Sequence, residues 1–196
     1  MLGIWEDSAE VGLFSAANRT AAFVSFVLIA VNAIAAPKFA VLYHKKEYQA
    51  LADLVRNTTK IMILIALPIL IIFVVFKRTI MGLFGEEFIA SSPLLVILAI
   101  GQFVNVTTGS VGMLLTMTGF EKIWRNNMFI AAIATVIMGV LFIPWLGATG
   151  AAIATAAGLS FQMILAVFLV YRYLGIMTIP FFSQPSLRSK TNNVRN

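Results

Sequence analysis

The sequence predicts an all-α, polytopic membrane helical bundle with about five transmembrane helices. Three observations carry this. Five long apolar stretches divide the 196 residues, the composition is 60% hydrophobic with only 11% charged residues, and the charges sit in the gaps between stretches. The stretches run 11–37, 57–76, 93–116, 128–143 and 147–171. A helix of about 20 residues crosses the ~30 Å hydrocarbon core, with a tolerance of several either way. A mean hydropathy of +0.95 agrees with a chain whose solvent is mostly lipid.

The gaps predict orientation. Segment 38–60, the gap before the fourth stretch and the C-terminal tail hold 11 of the 14 basic residues. The remaining segments hold Lys77, Arg78 and Arg19, together with the acids Glu6, Asp7, Glu10, Glu86 and Glu87. Basic loops stay in the cytoplasm. Residues 1–10 are therefore expected outside the cytoplasmic membrane, 11–179 as the bundle with a cytoplasmic loop at 38–60, and 180–196 as a basic, disordered cytoplasmic tail. A net charge of +6 could suggest nucleic acid, but these cations flank apolar spans, so anionic headgroups explain them and no nucleic-acid partner is expected. The absence of cysteine excludes disulfides, thiolate metal sites and cysteine nucleophiles. The acidic first ten residues lack the basic start of a cleavable signal peptide.

Each stretch has its own character. In the first, Ser15, Asn18, Ala22, Ser25, Asn32 and Ala36 recur at three- and four-residue steps, giving one polar or small face. Pro37 is expected to end or kink it. Tyr43–Lys60 predicts a short amphipathic helix leading into the second span, which carries Pro68 near its middle. Gly82 and Gly85 suit a tight re-entry, with a third helix starting after Ser91-Ser92-Pro93. Gln102, Asn105, Gly109, Gly112 and Thr116 repeat the polar-or-small pattern of the first span. The fourth stretch is short and ends at Pro144. In the fifth, Gly150, Ala154 and Gly158 form a ridge of small residues that lets helix backbones approach closely in lipid.

Arg19 is the sharpest candidate for function. A cation inside a span costs several kcal/mol on insertion scales unless it faces water or a partner. Snorkelling to the headgroups is the plain alternative. Asn32, Gln102, Asn105 and Gln162 could line a polar passage or join helices by hydrogen bonds. His44 reads as a surface residue, and the pair Glu86 and Glu87 has no histidine nearby. No HExxH, phosphate-binding loop or GxSxG motif occurs, so no catalysis, metal or cofactor is expected. The Asn-x-Thr triplets at Asn18, Asn57 and Asn105 read as chance matches.

The order of several short strings resembles the C-terminal half of the polysaccharide and lipid-linked oligosaccharide flippases, within the superfamily that also holds the multidrug exporters. These are 11–19 (VGLFSAANR), 36–40 (APKFA), 67–68 (LP), 83–88 (LFGEEF), 95–102 (LVILAIGQ), 115–122 (LTMTGFEK) and 143–155 (IPWLGATGAAIAT). Each string is loose; their order and spacing up to Pro180 carry the likeness. The resemblance implies the second bundle of a V-shaped carrier, with an N-terminal bundle supplied in cis or in trans. It implies transport of lipid-linked oligosaccharide or polysaccharide precursors across the cytoplasmic membrane, with a polyprenyl-linked sugar and membrane lipids as partners. Arg19 and Asn18 would then contact the anionic headgroup, while Asn32, Asn105 and Gln102 line the cleft. The alternatives are a multidrug exporter half, which a buried acid in a span would favour, and a non-transporting membrane scaffold or remnant.

Overall fold

A computed structural model describes residues 8–178, and every regular element among them is helical. Helix α1 (Ser8–Ala21) passes through a tighter 3-10 turn, Ala22–Ser25, into α2 (Phe26–His44). A short turn at 45–47, with Lys46 at φ 60°, reverses the chain into α3 (Tyr48–Val75). A short α4 (Lys77–Gly82) and a 3-10 turn (Glu86–Ser91) lead to α5 (Ser92–Thr107), which carries Pro93 in its first turn. Then follow α6 (Val111–Met117) and α7 (Glu121–Leu174).

Four continuous helical segments among the described residues are long and apolar enough to cross a membrane: Ala9–His44, Tyr48–Val75, Glu86–Thr107 and Glu121–Leu174. The last is two crossings. Gly147 adopts φ 55°, ψ −135°, which no helix accommodates, and divides the 54 residues into limbs 121–146 and 148–174. The limbs lie antiparallel. Gly150 faces the Phe142 carbonyl, Gly158 faces Thr135, and the Asn127 amide donates to the Gln162 carbonyl at 3.2 Å. Partners that approach in one direction while receding in the other define a helical hairpin. The small-residue ridge at Gly150 and Gly158 thus sits at a close helix–helix contact, as its spacing predicts.

Two cores hold the bundle. Ala17, Ala21, Val24, Met62, Ala66, Leu95 and Leu98 pack together toward one end. Phe39, Leu51, Val55, Leu114, Met163 and Val170 pack toward the other. Outside these, large apolar side chains face away from the protein, including Leu64, Ile71 and Ile72 on α3 and Phe129, Ile133 and Ile137 on α7. An outward belt of this kind would be unfavourable in water and is stable in lipid. The chain is a multi-pass helical membrane bundle.

Three sequence expectations need correction. Pro37 does not end its helix, since α2 continues to His44. Pro37 is exposed, and Pro68 is likewise carried within α3. The segment expected as a loop over 38–60 is mostly helix. Only 45–47 is a turn; Tyr43 and His44 end α2, and from Tyr48 the amphipathic stretch is helix running straight into the second span, as its spacing predicts, with Leu51 and Val55 buried. The third stretch is not one helix but unwinds at 108–110, where Gly109 has φ +80°. The tail 180–196 and most of segment 1–10 lie outside the described residues.

Candidate functional site

Arg19 belongs to α1, whose Ala17, Thr20 and Ala21 are buried while Arg19 itself is exposed. Its guanidinium therefore leaves the bundle's own core. Depth follows from the α2–α3 reversal. Thr20 and Phe23 on the first segment line one groove with Ile69 and Phe73 of α3, so Arg19 lies level with the last turn of α3, which ends at Val75. The cation has no ion-pair partner among the described residues.

Asn18, Asn32, Gln102 and Asn105 are all half-buried. Asn105 stands one turn beyond Gly101, whose missing side chain lets α5 press against Ala156 of the second α7 limb. The structure does not join the five candidates by hydrogen bonds: among the described residues, none of their side chains pairs with another. Asn32 keeps a buried Oδ1 with no protein partner, an acceptor available to water or a polar ligand. The stripe of the first span is a flank, half in and half out, with Ser15, Ala22 and Ser25 half-buried too.

Two polar positions escaped the sequence reading. Asn127 is almost fully buried and holds the α7 limbs together through Gln162, while its Oδ1 has no protein partner. It lies one residue before the stretch read as the fourth span, beside Arg125 and Asn126, so it resembled loop. Ser110, buried with an unpartnered hydroxyl oxygen, is the last residue of the break between α5 and α6. The run Thr107-Thr108-Gly109-Ser110 was its only signal. No group of three or more His, Cys, Asp or Glu side chains suited to a metal occurs among the described residues.

Comparison with known proteins supplies the remaining finding. The chain is 29% identical over 169 residues to a "probable low-salt glycan biosynthesis flippase", Agl15, of Haloferax volcanii, covering 84% of this chain and 35% of that protein. It is 27% identical over 160 residues to the "uncharacterized membrane protein MJ1068" of Methanocaldococcus jannaschii, covering 81% of this chain and 31% of that one. The chain thus spans about a third of the length of these curated relatives. No family model matches it, and no solved structure matches it. The likeness to flippases read from its short strings therefore holds: this is a helical membrane protein similar, over most of its own length, to one stretch of a glycan-biosynthesis flippase.

Proposed function

We propose that this chain is one bundle of a carrier that moves lipid-linked oligosaccharide or polysaccharide precursors across the cytoplasmic membrane. The similarity to Agl15 over 84% of the chain carries the reading. The chemistry supports it. A polyprenyl pyrophosphate headgroup cannot enter hydrocarbon unaided, so a carrier must offer cations and amides along helices that rock between two open forms. In this reading Arg19, exposed and unpaired among the described residues, and the adjacent Asn18 contact the pyrophosphate. Asn32, Gln102 and Asn105 supply acceptors and donors for the sugar. A second bundle, in cis or in trans, completes the cleft on the side to which Arg19 points.

The test is Arg19→Ala in a cell lacking its own carrier, with the complementary N-terminal bundle supplied. Flipping should fall at least tenfold while the amount of inserted protein stays normal. Undiminished flipping would remove Arg19 from the path, and absence of flipping by the unaltered chain would leave a scaffold as the better description.

The proposed orientation places residues 1–10 outside and the C-terminus in the cytoplasm, on the strength of the basic gaps. A fluorescent reporter that folds only in the cytoplasm should glow when fused after Asn196. Alkaline phosphatase activity at that same position, with a dark fluorescent fusion, would reverse the topology.

A further inference from the structure

A lateral apolar groove lies where the first segment tightens into its 3-10 turn. Thr20, Phe23, Phe26, Ile69, Phe73, Ile80, Leu83 and Phe84 line it, enclosing about 540 Å³. It opens outward, since Phe23 and Phe26 are each 55% exposed and Leu83 82%. Three aromatic rings on one helical segment and α3, with a fourth beyond α4, make a wall that a flexible hydrocarbon chain would fill. The single polar wall group, the Thr20 hydroxyl, is already satisfied by the Ala16 carbonyl at 2.8 Å.

The rim differs from the wall. Lys77 and Arg78 open α4 within one turn of Ile80, and Arg19 precedes Thr20 on the opposite side. Arg78 and Arg19 are exposed and Lys77 is half-buried. The acids of this end, Glu10, Glu86 and Glu87, form no ion pair with any of the three among the described residues. Lys77 and Arg78 follow the end of α3 after the single residue Phe76, which is where a helix leaving hydrocarbon meets the headgroups. An apolar groove with cations next in sequence to its lining residues suits an amphiphile with one negative head and a hydrocarbon tail.

We propose that this groove is a binding site for an anionic phospholipid of the surrounding bilayer, its chain against Phe23, Phe73 and Phe84 and its phosphate held by Lys77 and Arg78. Arg19 borders the site from across the groove. The assignment rests on the membrane placement of the bundle and does not require the transport reading.

The test uses the full chain in phosphatidylcholine vesicles, with Trp5, Trp124 and Trp145 changed to Phe and Phe84→Trp as reporter. Brominated phosphatidylglycerol should reach half-maximal quenching at a roughly 25-fold lower mole fraction than brominated phosphatidylcholine, since each of the two basic residues favours binding roughly fivefold at an anionic surface. Lys77→Gln with Arg78→Gln should abolish most of that preference while quenching by brominated phosphatidylcholine persists, which reports an intact groove. Equal quenching by the two lipids would overturn the proposal. So would displacement of the brominated phosphatidylglycerol by substoichiometric undecaprenyl phosphate, which would assign the groove to a carrier lipid. Should the reporter background fail to fold, lipid extracted from the purified unaltered chain should be enriched in phosphatidylglycerol over a mixed bilayer, and an unchanged ratio would be equally fatal.

Discussion

Gly150→Ala should lower the melting temperature of the detergent-solubilised chain by about 6–12 °C, although it adds a single carbon. A Cβ built at Gly150 collides with the carbonyl carbon and oxygen of Phe142 and meets the backbone nitrogen of Ile143 at 3.0 Å. All three are backbone atoms. A crowded side chain can rotate away, but a helix backbone yields only if the limb shifts. Overpacking commonly costs about 1–3 kcal/mol and occasionally more, and contact with fixed backbone belongs at the upper end. In a chain of this size each kcal/mol moves the midpoint by roughly 2–4 °C. Gly12→Ala is the control, because nothing lies within 4 Å of a Cβ at Gly12. Its midpoint should hold or rise slightly, since alanine is the better helix former. Equal melting of the two variants would show that the α7 limbs do not meet at Gly150.

Gly109→Ala should cost about 2–4 kcal/mol, a fall of roughly 5–15 °C in the same measurement. Two causes act together. The φ of +80° carries an inherent penalty for any L side chain of about 1–2 kcal/mol. A Cβ there also strikes the Thr59 hydroxyl oxygen, which is fixed by its hydrogen bond to the Val55 carbonyl at 2.8 Å. Thr59→Ala removes the second cause and leaves the first. The double variant Gly109→Ala with Thr59→Ala should therefore recover part of the loss, beyond the sum of the single changes. Simple additivity would mean that backbone strain alone sets the cost.

Hydropathy made the crossings legible because lipid selects for apolar residues on every outward face, and Ile71, Ile72, Ile133 and Ile137 face outward. The ridge at Gly150 and Gly158 was legible for a related reason, since close backbone contact admits only small residues. Boundaries were harder to read. Pro37 looked like an end, yet a proline removes one rung of the hydrogen-bond ladder and the helix can resume beyond it, as α2 does to His44. The break at 108–110 was hidden because threonine, glycine and serine all occur within membrane helices. Here the Thr108 hydroxyl bonds the Asn105 carbonyl at 2.7 Å as the ladder ends. The 3-10 turn Ala22–Ser25 has no sequence signal at all: its four residues read as ordinary helix. For the candidate site, residue type singled out Arg19 and the amides, but whether a side chain points inward depends on neighbours distant in sequence. Asn127 shows the converse, a polar residue set deep by a partner 35 positions away.

The sharp reversal at Gly147 bears on how the chain enters the bilayer. Its tip, Pro144-Trp145-Leu146-Gly147, carries no charge, while Lys122, Arg125 and Arg172 lie at the open ends of the two limbs. A paired hairpin can therefore be threaded through hydrocarbon tip first, without dragging an ion across. Trp145, 87% exposed at that tip, offers an indole suited to halting the movement once it reaches the far interface.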